Sequence, residues 1–478
     1  MTDAIRNSDV PASHLARPDS GCRDSEQAGG RFDSADWLSF GAAVFLTLAV
    51  YFASLAPDVD LGFSGIFSVG AMYAGVPHPP GYPLWTLYSW LFTVLLPFSN
   101  IAWRAAVASA VAGALACGVV ALMVSRGGAL ILGRFPASTR LSETEGRLLR
   151  VVCGCVAGAA LGFDNGLWRK AVIADPWPLS LLLLALVLCL LMKWSFAPQR
   201  RRWLYAAFFA YGLAITNSQA LIPAAAALPV IVALRDRHLG RDFFLASGVV
   251  FLCGWLAKDV FATFHSEPGR INSAFAIFLT IGFGVVAAGA SLAVVTRKVF
   301  TEWKAVLISG AALALGLALY LYVPIASMTN PPINWSYPRT VEGFSHNLTR
   351  GQYEKVLATD NLGVYARQMG LYARMAMADF GLSYLLAALI SWCCLPKMGT
   401  SERRWMLGLL AVFACLSCLM VALLNPAPDL YARDALKVFF SASHVILAIW
   451  AGYGLVVLGA LVSKPRAMHG QPSGQRYN

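Results

Sequence analysis

Apolar stretches of about twenty residues recur along most of this chain, and short polar segments separate them. Because a helix rises about 1.5 Å per residue, about 20 apolar residues match a hydrocarbon core about 30 Å thick. The pattern therefore predicts an all-α integral membrane protein with about 12 transmembrane helices. The predicted spans are residues 37–56, 103–125, 148–163, 176–194, 203–216, 220–234, 243–263, 273–296, 304–324, 376–395, 405–424 and 438–462.

The domain organisation follows from the same pattern. We predict one transmembrane domain over residues 37–463, which is nearly the whole chain. Residues 1–36 are polar and lack the basic and apolar regions of a cleavable signal, so we expect a disordered cytoplasmic tail and an uncleaved first span. Residues 464–478 are expected to form a second cytoplasmic tail.

One further apolar stretch, residues 82–98, does not fit as a span. Counting it would reverse every later loop and would place the triple arginine of residues 200–202 outside the cytoplasm. The prolines within residues 79–83 instead favour a juxtamembrane or re-entrant helix. With this assignment 25 of the 37 Lys and Arg residues lie in cytoplasmic segments and 12 lie outside, as the positive-inside rule expects. We therefore expect both termini in the cytoplasm, and the short loops favour a bacterial plasma membrane.

Composition excludes a soluble protein. The chain is 58% hydrophobic and 13% charged, with a mean hydropathy of +0.61, whereas a soluble domain has about 25% charged residues. The net charge of +12 would suit nucleic acid, but the basic residues form short clusters between apolar segments. We therefore predict membrane lipid as a partner and no nucleic acid.

Two carboxylates and one imidazole lie in the first predicted extracytoplasmic loop. Asp58 and Asp60 follow the first span, and His78 lies in a proline-rich turn. Carboxylates held at a membrane boundary near an imidazole can transfer protons or bind a metal ion. The same residues also fit solvated loop positions and a structural histidine, so both interpretations stay open.

The long loop before residue 375 adds aromatic, amide and basic side chains. Asn334 and Trp335 suit hydrogen bonding to and stacking on a polar ligand, although aromatic belts also mark any membrane interface. Arg350 and Tyr353 lie three residues apart, so they would share one face of a helix.

Three other predicted outer segments carry candidate residues. Asp175 lies at the start of an apolar helix, where it could also cap the helix N-terminus. Asn217 lies in a tight turn between two spans. Arg433 and Asp434 lie in the last loop, where they could equally form a local ion pair.

These segments resemble a known family. GVPHPPGYPL at residues 75–84, followed by PFSNIAWR, is similar to the first-loop signature of the transmembrane protein O-mannosyltransferase-like family of the GT-C glycosyltransferase superfamily. The HPPG element is the most specific part, and the similarity runs from Trp37 to Leu458. Four later segments also match family motifs, namely AVIADPWPLSLLLL, GLAITNSQALI, PPINWSYPRTVEGFSHNLTRGQY and YARDALKVFFSASHVILAIWAGYGL.

The resemblance implies a GT-C-like fold whose extracytoplasmic cavity binds a polyprenyl-phosphate-linked sugar, such as mannose, and transfers the sugar to a protein or glycan hydroxyl. Asp58 or Asp60 would be catalytic, either as the base or by orienting a divalent cation as the one candidate cofactor. The resemblance implies no specific metal ligands. Arg350 or Arg433 would suit the phosphate, because guanidinium binds it bidentately. The substrate-binding residues implied are His78, Asp175, Asn217, Asn334, Trp335, Arg350, Tyr353, Arg433 and Asp434.

The chain departs from the family pattern in the first loop. Family members carry Asp-Ser-Gly-Glu where residues 63–66 here read Phe-Ser-Gly-Ile, so the usual acidic pair is missing. Asp60, three residues earlier, is the expected substitute. Asp175 takes the place of the acid of the second motif, and Ser218 and Gln219 replace histidines that often follow Asn217.

Two other function classes stay open. A transporter or flippase of a lipid-linked substrate would need internal repeats or ionisable groups at the bilayer midplane, and the sequence has no clear repeat. A non-catalytic relative that keeps the binding cavity would explain the missing acidic pair.

Overall fold

The computed structural model describes residues 31–133, 141–256, 273–351, 357–426 and 430–463, with the side chains of the last segment described from residue 437. Within these ranges the chain is helical, and the only β pairing is an isolated parallel bridge between Val76 and Asn334. The first twelve α-helices are α1 Ser34–Ala53, α2 Ser64–Tyr73, α3 Pro83–Leu95, α4 Ile101–Leu132, α5 Glu143–Gly162, α6 Asn165–Ala171, α7 Trp177–Phe196, α8 Arg202–Asn217, α9 Ala227–Arg235, α10 Arg237–Leu256, α11 Ser273–Thr296 and α12 Trp303–Leu317. The remaining α-helices are α13 Tyr322–Met328, α14 Val341–Leu348, α15 Leu362–Cys393, α16 Thr400–Ala414, α17 Met420–Leu424 and α18 Leu430–Val462.

Nine helical segments of the described chain are long and apolar enough to cross a membrane, or ten if the bent pair α5 and α6 is one span. The all-α integral membrane fold is thereby confirmed. Two of the predicted spans correspond to shorter helices: α8 has 16 residues, and a 3-10 turn at Gln219–Ala226 leads into the nine residues of α9. The span predicted at 376–395 is the second half of α15, whose first half carries two arginines that lower its hydropathy without ending the helix.

The apolar stretch at residues 82–98 holds a helix too short to count among the candidate spans. It contains α3, whose 13 residues reach about 20 Å and so fall short of a core about 30 Å thick. Pro83 occupies the first turn of α3, where the missing N–H costs no hydrogen bond. The structure thus agrees with a juxtamembrane or re-entrant helix here.

The predicted outer segments meet at one end of the bundle, which we call the loop face. It comprises residues 54–82, 164–177, 217–219, 329–351, 357–361 and 425–426. Side-chain hydrogen bonds join these segments across long sequence separations, for example Gln219 to the Leu348 carbonyl at 2.9 Å and Thr359 to Asn425 at 3.0 Å. The loops predicted to share one side of the membrane therefore contact one another.

The opposite end holds the predicted cytoplasmic segments, and we call it the arginine face. It is defined by the basic residues Arg126, Arg150, Arg201, Arg235 and Arg241. Arg150 binds the fully buried Asp36 at 2.7 Å. Arg201 binds Glu302 at 2.7 Å. The contacts at this face thus join segments of one predicted side, as they do at the loop face.

Small residues let α5 approach α1 and α4 closely. Gly154, Gly158 and Gly162 recur every four residues and so lie along one face of α5. An added Cβ would lie 2.6 Å from the Cys117 carbonyl at Gly158 and 2.5 Å from the Thr47 side chain at Gly162. Such spacing of small residues is typical of tightly packed membrane helices. It holds α5 against α1 and α4, and segments of the loop face follow the ends of α1 and α5.

Candidate functional site

The first loop and the long loop meet through their backbones. The Val76 amide donates to the Ile333 carbonyl at 3.1 Å, and the Trp335 amide donates to the Val76 carbonyl at 3.0 Å. The Tyr322 hydroxyl also donates to the Ala74 carbonyl. These bonds hold the HPPG turn against the Asn-Trp pair of the long loop.

His78 lies buried at the centre of this junction, with 4% of its surface exposed. Its ring centroid is 4.7 Å from that of Phe63, 5.7 Å from that of Trp335 and 6.1 Å from that of Tyr82. Its Nδ1 lies 2.8 Å from the Pro79 carbonyl oxygen, which accepts only, so Nδ1 carries a proton and donates it. The imidazole is therefore fixed in orientation within an aromatic cage.

The charge state of His78 follows from its surroundings. Burial lowers the pKa of His78, the Pro79 carbonyl opposes this shift, and the positive charge of Arg350 lowers the pKa further. A lowered pKa leaves the imidazole neutral at pH 7. His78 is thus suited to hydrogen bonding and stacking and does not supply a positive charge.

Arg350 lies close enough to act on His78, but it is not helical. Helix α14 ends at Leu348, and Arg350 has a φ of +55°. The prediction that Arg350 and Tyr353 share a helical face is therefore wrong for Arg350, and Tyr353 lies outside the described residues. The left-handed backbone turns the chain back, with the Gly351 amide bonded to the His346 carbonyl at 2.8 Å.

Two asparagines beside this junction have unused hydrogen-bonding capacity. Asn334 donates through Nδ2 to the Ser327 carbonyl at 3.0 Å, but its Oδ1 has no partner among the described residues. Asn347 is fully buried next to Gly81, and within the described chain neither of its amide atoms has a partner. Because buried polar atoms are normally paired, these atoms can accept and donate bonds to a polar ligand.

Asp175 and Asn217 form a second group. One oxygen of Asp175 accepts from the Trp177 amide at 2.8 Å, and the other binds Lys170 at 2.8 Å. Asn217 is fully buried and donates to the Pro176 carbonyl at 2.9 Å. The N-cap of α7 is Pro176, and Asp175 just before it binds the free N–H of the first helical residue, which is close to the capping role that the sequence left open; Asn217 secures the same turn.

The two groups are connected. Gln219, two residues after Asn217, donates to the Leu348 carbonyl at the end of α14, next to Asn347 and Arg350. The structure thus joins the turn after α8 to the long loop.

The side chains of Asp58 and Asp60 make no hydrogen bond with either group in the described part of the chain. Both side chains are exposed, and each carboxylate accepts a bond from the amide of the next residue. The Asp60 amide donates to Ser64 Oγ at 2.9 Å, which fixes the start of α2. Neither acid forms an ion pair with any residue that the structure describes.

The side chains of Arg433 and Asp434 lie outside the described part of the chain. Their backbone belongs to the first turns of α18.

Sequence reasoning missed one polar cluster, formed by Asp164, Asp379 and His444. His444 Nδ1 lies 2.9 Å from Asp164 Oδ1, and one donor atom from each of the three residues lies within 4.8 Å of the others. Asp379 and His444 are ionisable residues inside long apolar helices. Such residues are rare there, so their position in the sequence could have indicated a polar cluster.

Comparisons with known proteins bear on this arrangement. Residues 64–240 match the model of the protein O-mannosyl-transferase TMEM260 N-terminal domain, and they contain the HPPG turn, Asp175 and Asn217. The protein O-mannosyl-transferase TMEM260 of Mus musculus is 22% identical over 432 residues, which cover 88% of this chain. The resemblance to the O-mannosyltransferase-like family is confirmed.

The alignments cover only part of each relative. The chain spans about half the length of the mouse relative, since 50% of that protein is covered. The protein O-mannosyl-transferase tmem260 of Dictyostelium discoideum is 35% identical over 69 residues, which are 14% of this chain and 8% of that protein. No solved structure gives a significant match.

Proposed function

We propose that this chain is a membrane glycosyltransferase that transfers a sugar, with mannose as the first candidate, from a polyprenyl-phosphate donor to a hydroxyl group of a protein or glycan at the loop face. The names of its relatives support a mannosyltransferase. The observation that carries the proposal is the junction that joins the HPPG turn to the long loop and places Trp335 and the charge of Arg350 around His78.

A lipid-linked donor accounts for the position of this junction. The isoprenoid chain stays in the hydrocarbon, while the phosphate and the sugar reach the polar loops. Arg350 binds the phosphate through charge-assisted hydrogen bonds. Trp335, which is 37% exposed, stacks on the sugar, and the unpartnered amide atoms of Asn334 and Asn347 bind its hydroxyl groups.

The transfer exchanges one bond to the anomeric carbon for another. Asp60 or Asp58 removes the proton of the acceptor hydroxyl, and the hydroxyl oxygen bonds to the anomeric carbon. The bond from that carbon to the phosphate oxygen breaks, and polyprenyl phosphate leaves with the electron pair. Asp60 is the preferred base because Phe63, three residues later, contacts the His78 ring.

The same proposal sets the orientation. We place the loop face outside the cytoplasm and the arginine face with both termini inside, in a bacterial plasma membrane. The basic residues concentrated at the arginine face support this choice through the positive-inside rule.

The base is tested in membranes that contain the full chain and radiolabelled polyprenyl-phosphate mannose. Loss of a general base slows transfer by about 100- to 10,000-fold, so we expect that loss for Asp60→Asn or, if the other acid is the base, for Asp58→Asn. Asp360→Asn changes an equally exposed acid of the loop face and is expected to keep full transfer. Full transfer in Asp58→Asn, Asp60→Asn and the double variant would remove both assignments.

The phosphate contact is tested separately. Arg350→Met is expected to raise the KM for the donor at least about tenfold, because it removes a charge-assisted contact. Arg339→Met removes an exposed arginine of the same loop and should leave the KM unchanged. An unaltered KM in Arg350→Met would rule out its role in donor binding.

The competing functions predict different products. A flippase would move the labelled donor across sealed vesicles without forming a glycosylated acceptor. A non-catalytic relative would bind the donor and release no polyprenyl phosphate. Either outcome in the unmodified protein would contradict a transferase.

A further inference from the structure

Three helical segments bring Asp164, Asp379 and His444 together away from the HPPG junction. Asp164 is the N-cap of α6, Asp379 lies in α15 two residues before the non-helical Gly381, and His444 lies in α18. Asp164 is fully buried, His444 is 2% exposed, and the Asp379 side chain is 3% exposed. The cluster is therefore closed off from solvent.

Two atoms of the cluster lack hydrogen-bond partners. His444 uses Nδ1 to contact Asp164 at 2.9 Å, but its Nε2 has no partner among the described residues. Asp379 Oδ2 is likewise unpartnered within the described chain. Leaving Asp379 Oδ2 buried and unpaired costs free energy, which a cation bound beside Asp164 and His444 Nδ1 would recover.

The acidic side chains of the cluster outnumber the basic side chain beside it. The two carboxylates face one lysine, since Lys437 lies 3.4 Å from Asp379 Oδ1, and Asp164 receives its other bond from the neutral Leu167 amide at 3.1 Å. The ring of Phe380 lies 5.2 Å from that of His444 and adds no charge. The two carboxylates thus outnumber the one described lysine beside them, and a cation between them would balance the remaining negative charge in this apolar setting.

We propose that a carboxylate oxygen of Asp164, a carboxylate oxygen of Asp379 and Nδ1 of His444, which faces Asp164, bind one divalent transition-metal ion, of which Zn²⁺ and Mn²⁺ are the first candidates. Imidazole nitrogen together with carboxylate oxygen is a ligand set that such ions accept, whereas Mg²⁺ and Ca²⁺ prefer oxygen alone. Metal–ligand bonds of about 2.0–2.2 Å place three ligand atoms roughly 3–4 Å apart, so the cluster, whose atoms lie within 4.8 Å of one another, needs to contract by about 1 Å. The ion would tie α18 to α6 and to the break in α15.

The site is tested with the full chain purified in detergent, stripped with a chelator and dialysed against Zn²⁺ or Mn²⁺. Elemental analysis is expected to give about one ion per chain. Co²⁺ added in place of Zn²⁺ should give the visible absorption of a low-symmetry nitrogen and oxygen site. Both readouts are independent of sugar transfer, so they can succeed or fail without regard to the proposed function.

The variants separate this site from other metal binding. Asp379→Asn and His444→Ala are expected to weaken Zn²⁺ binding at least about 10- to 100-fold. His238→Ala and Asp360→Asn change an exposed histidine and an exposed acid outside the cluster. Both variant proteins should bind Zn²⁺ as the unmodified protein does.

The effect of Zn²⁺ on the melting temperature of the unmodified protein distinguishes a folding defect in a variant from the loss of a metal ligand. Zn²⁺ binding should raise its melting temperature, and the rise should disappear in Asp379→Asn, which keeps the shape of the side chain. Stripped protein that takes up less than a tenth of an equivalent and shows no Co²⁺ absorption would overturn the proposal. Tight binding retained in both variants would overturn it as well.

Discussion

The ring centroids of His78 and Trp335 lie 5.7 Å apart, although the two residues belong to the first and last thirds of the chain. Their contact places the HPPG turn and the Asn-Trp pair on the same side of the bundle. Because of that contact, the first loop and the long loop must lie on the same side of the membrane. One labelling experiment can therefore test the position of both loops.

Impermeant labelling tests this arrangement. In a background without the ten native cysteines, we expect Val59→Cys and Thr340→Cys to react with a membrane-impermeant maleimide from one side of sealed vesicles. Gln199→Cys, at the arginine face, should react only from the other side. All three positions are exposed, so the label can reach them. Opposite sidedness of residues 59 and 340 would contradict the fold described.

The buried His78 predicts a dependence of stability on pH. Because burial lowers the pKa of His78 below its usual 6.5, the unfolded chain binds more protons than the folded chain in the interval between the two values. Stability contributed by this residue is therefore complete above about pH 6.5 and falls as the pH drops through that interval. Melting in detergent should show a smaller loss on acidification for His78→Gln than for the unmodified protein. The exposed His238→Gln serves as the control, and an identical loss in all three proteins would contradict the assignment.

The close approach of α5 predicts an asymmetry between two glycines of that helix. Gly158→Ala places a methyl group 2.6 Å from the Cys117 carbonyl, so we expect a loss of about 1–3 kcal/mol in stability. Gly146→Ala meets nothing within 4 Å and should be neutral or stabilising by up to about 1 kcal/mol, because alanine favours the helix. The melting temperatures of the two variants test this difference. Equal values would mean that Gly158 does not lie against the Cys117 carbonyl.

The arginine face predicts the cost of breaking a buried ion pair. Arg150→Met leaves the fully buried Asp36 without its partner at 2.7 Å, and such a loss costs about 3–5 kcal/mol. Arg147→Met, one turn earlier and exposed, should cost no more than about 0.5 kcal/mol. Thermal unfolding of the two variants gives the comparison, and a small effect of Arg150→Met would contradict the buried pairing.

The sequence predicts the membrane fold and the grouping of loops because both depend on local properties. Apolar length predicts a span, and clusters of Lys and Arg predict which loops share a side. The contact of residue 76 with residue 334 agrees with that grouping. The helical setting assumed for Arg350 was wrong because a left-handed residue after α14 depends on contacts that no local pattern encodes.

The site residues were harder to predict, for a different physical reason. Asp164, Asp379 and His444 meet only because three helices have particular rotations about their axes, and hydropathy reports length without rotation. Asp58 and Asp60 were singled out by their position after the first span, and their catalytic role stays a prediction. Asp175 shows how one carboxylate fits both interpretations, since it lies among candidate residues and also binds the first free N–H of α7.

The bridge between Val76 and Asn334 also sets an order of events during biosynthesis. A ribosome adds about 5–20 residues per second, so roughly 13 to 50 s pass between the synthesis of Val76 and that of Asn334. Throughout that interval the HPPG turn lacks its long-loop partner Trp335, and a nascent chain cannot yet hold a donor at this place. Assembly of the junction thus waits until more than two thirds of the polypeptide has been synthesised.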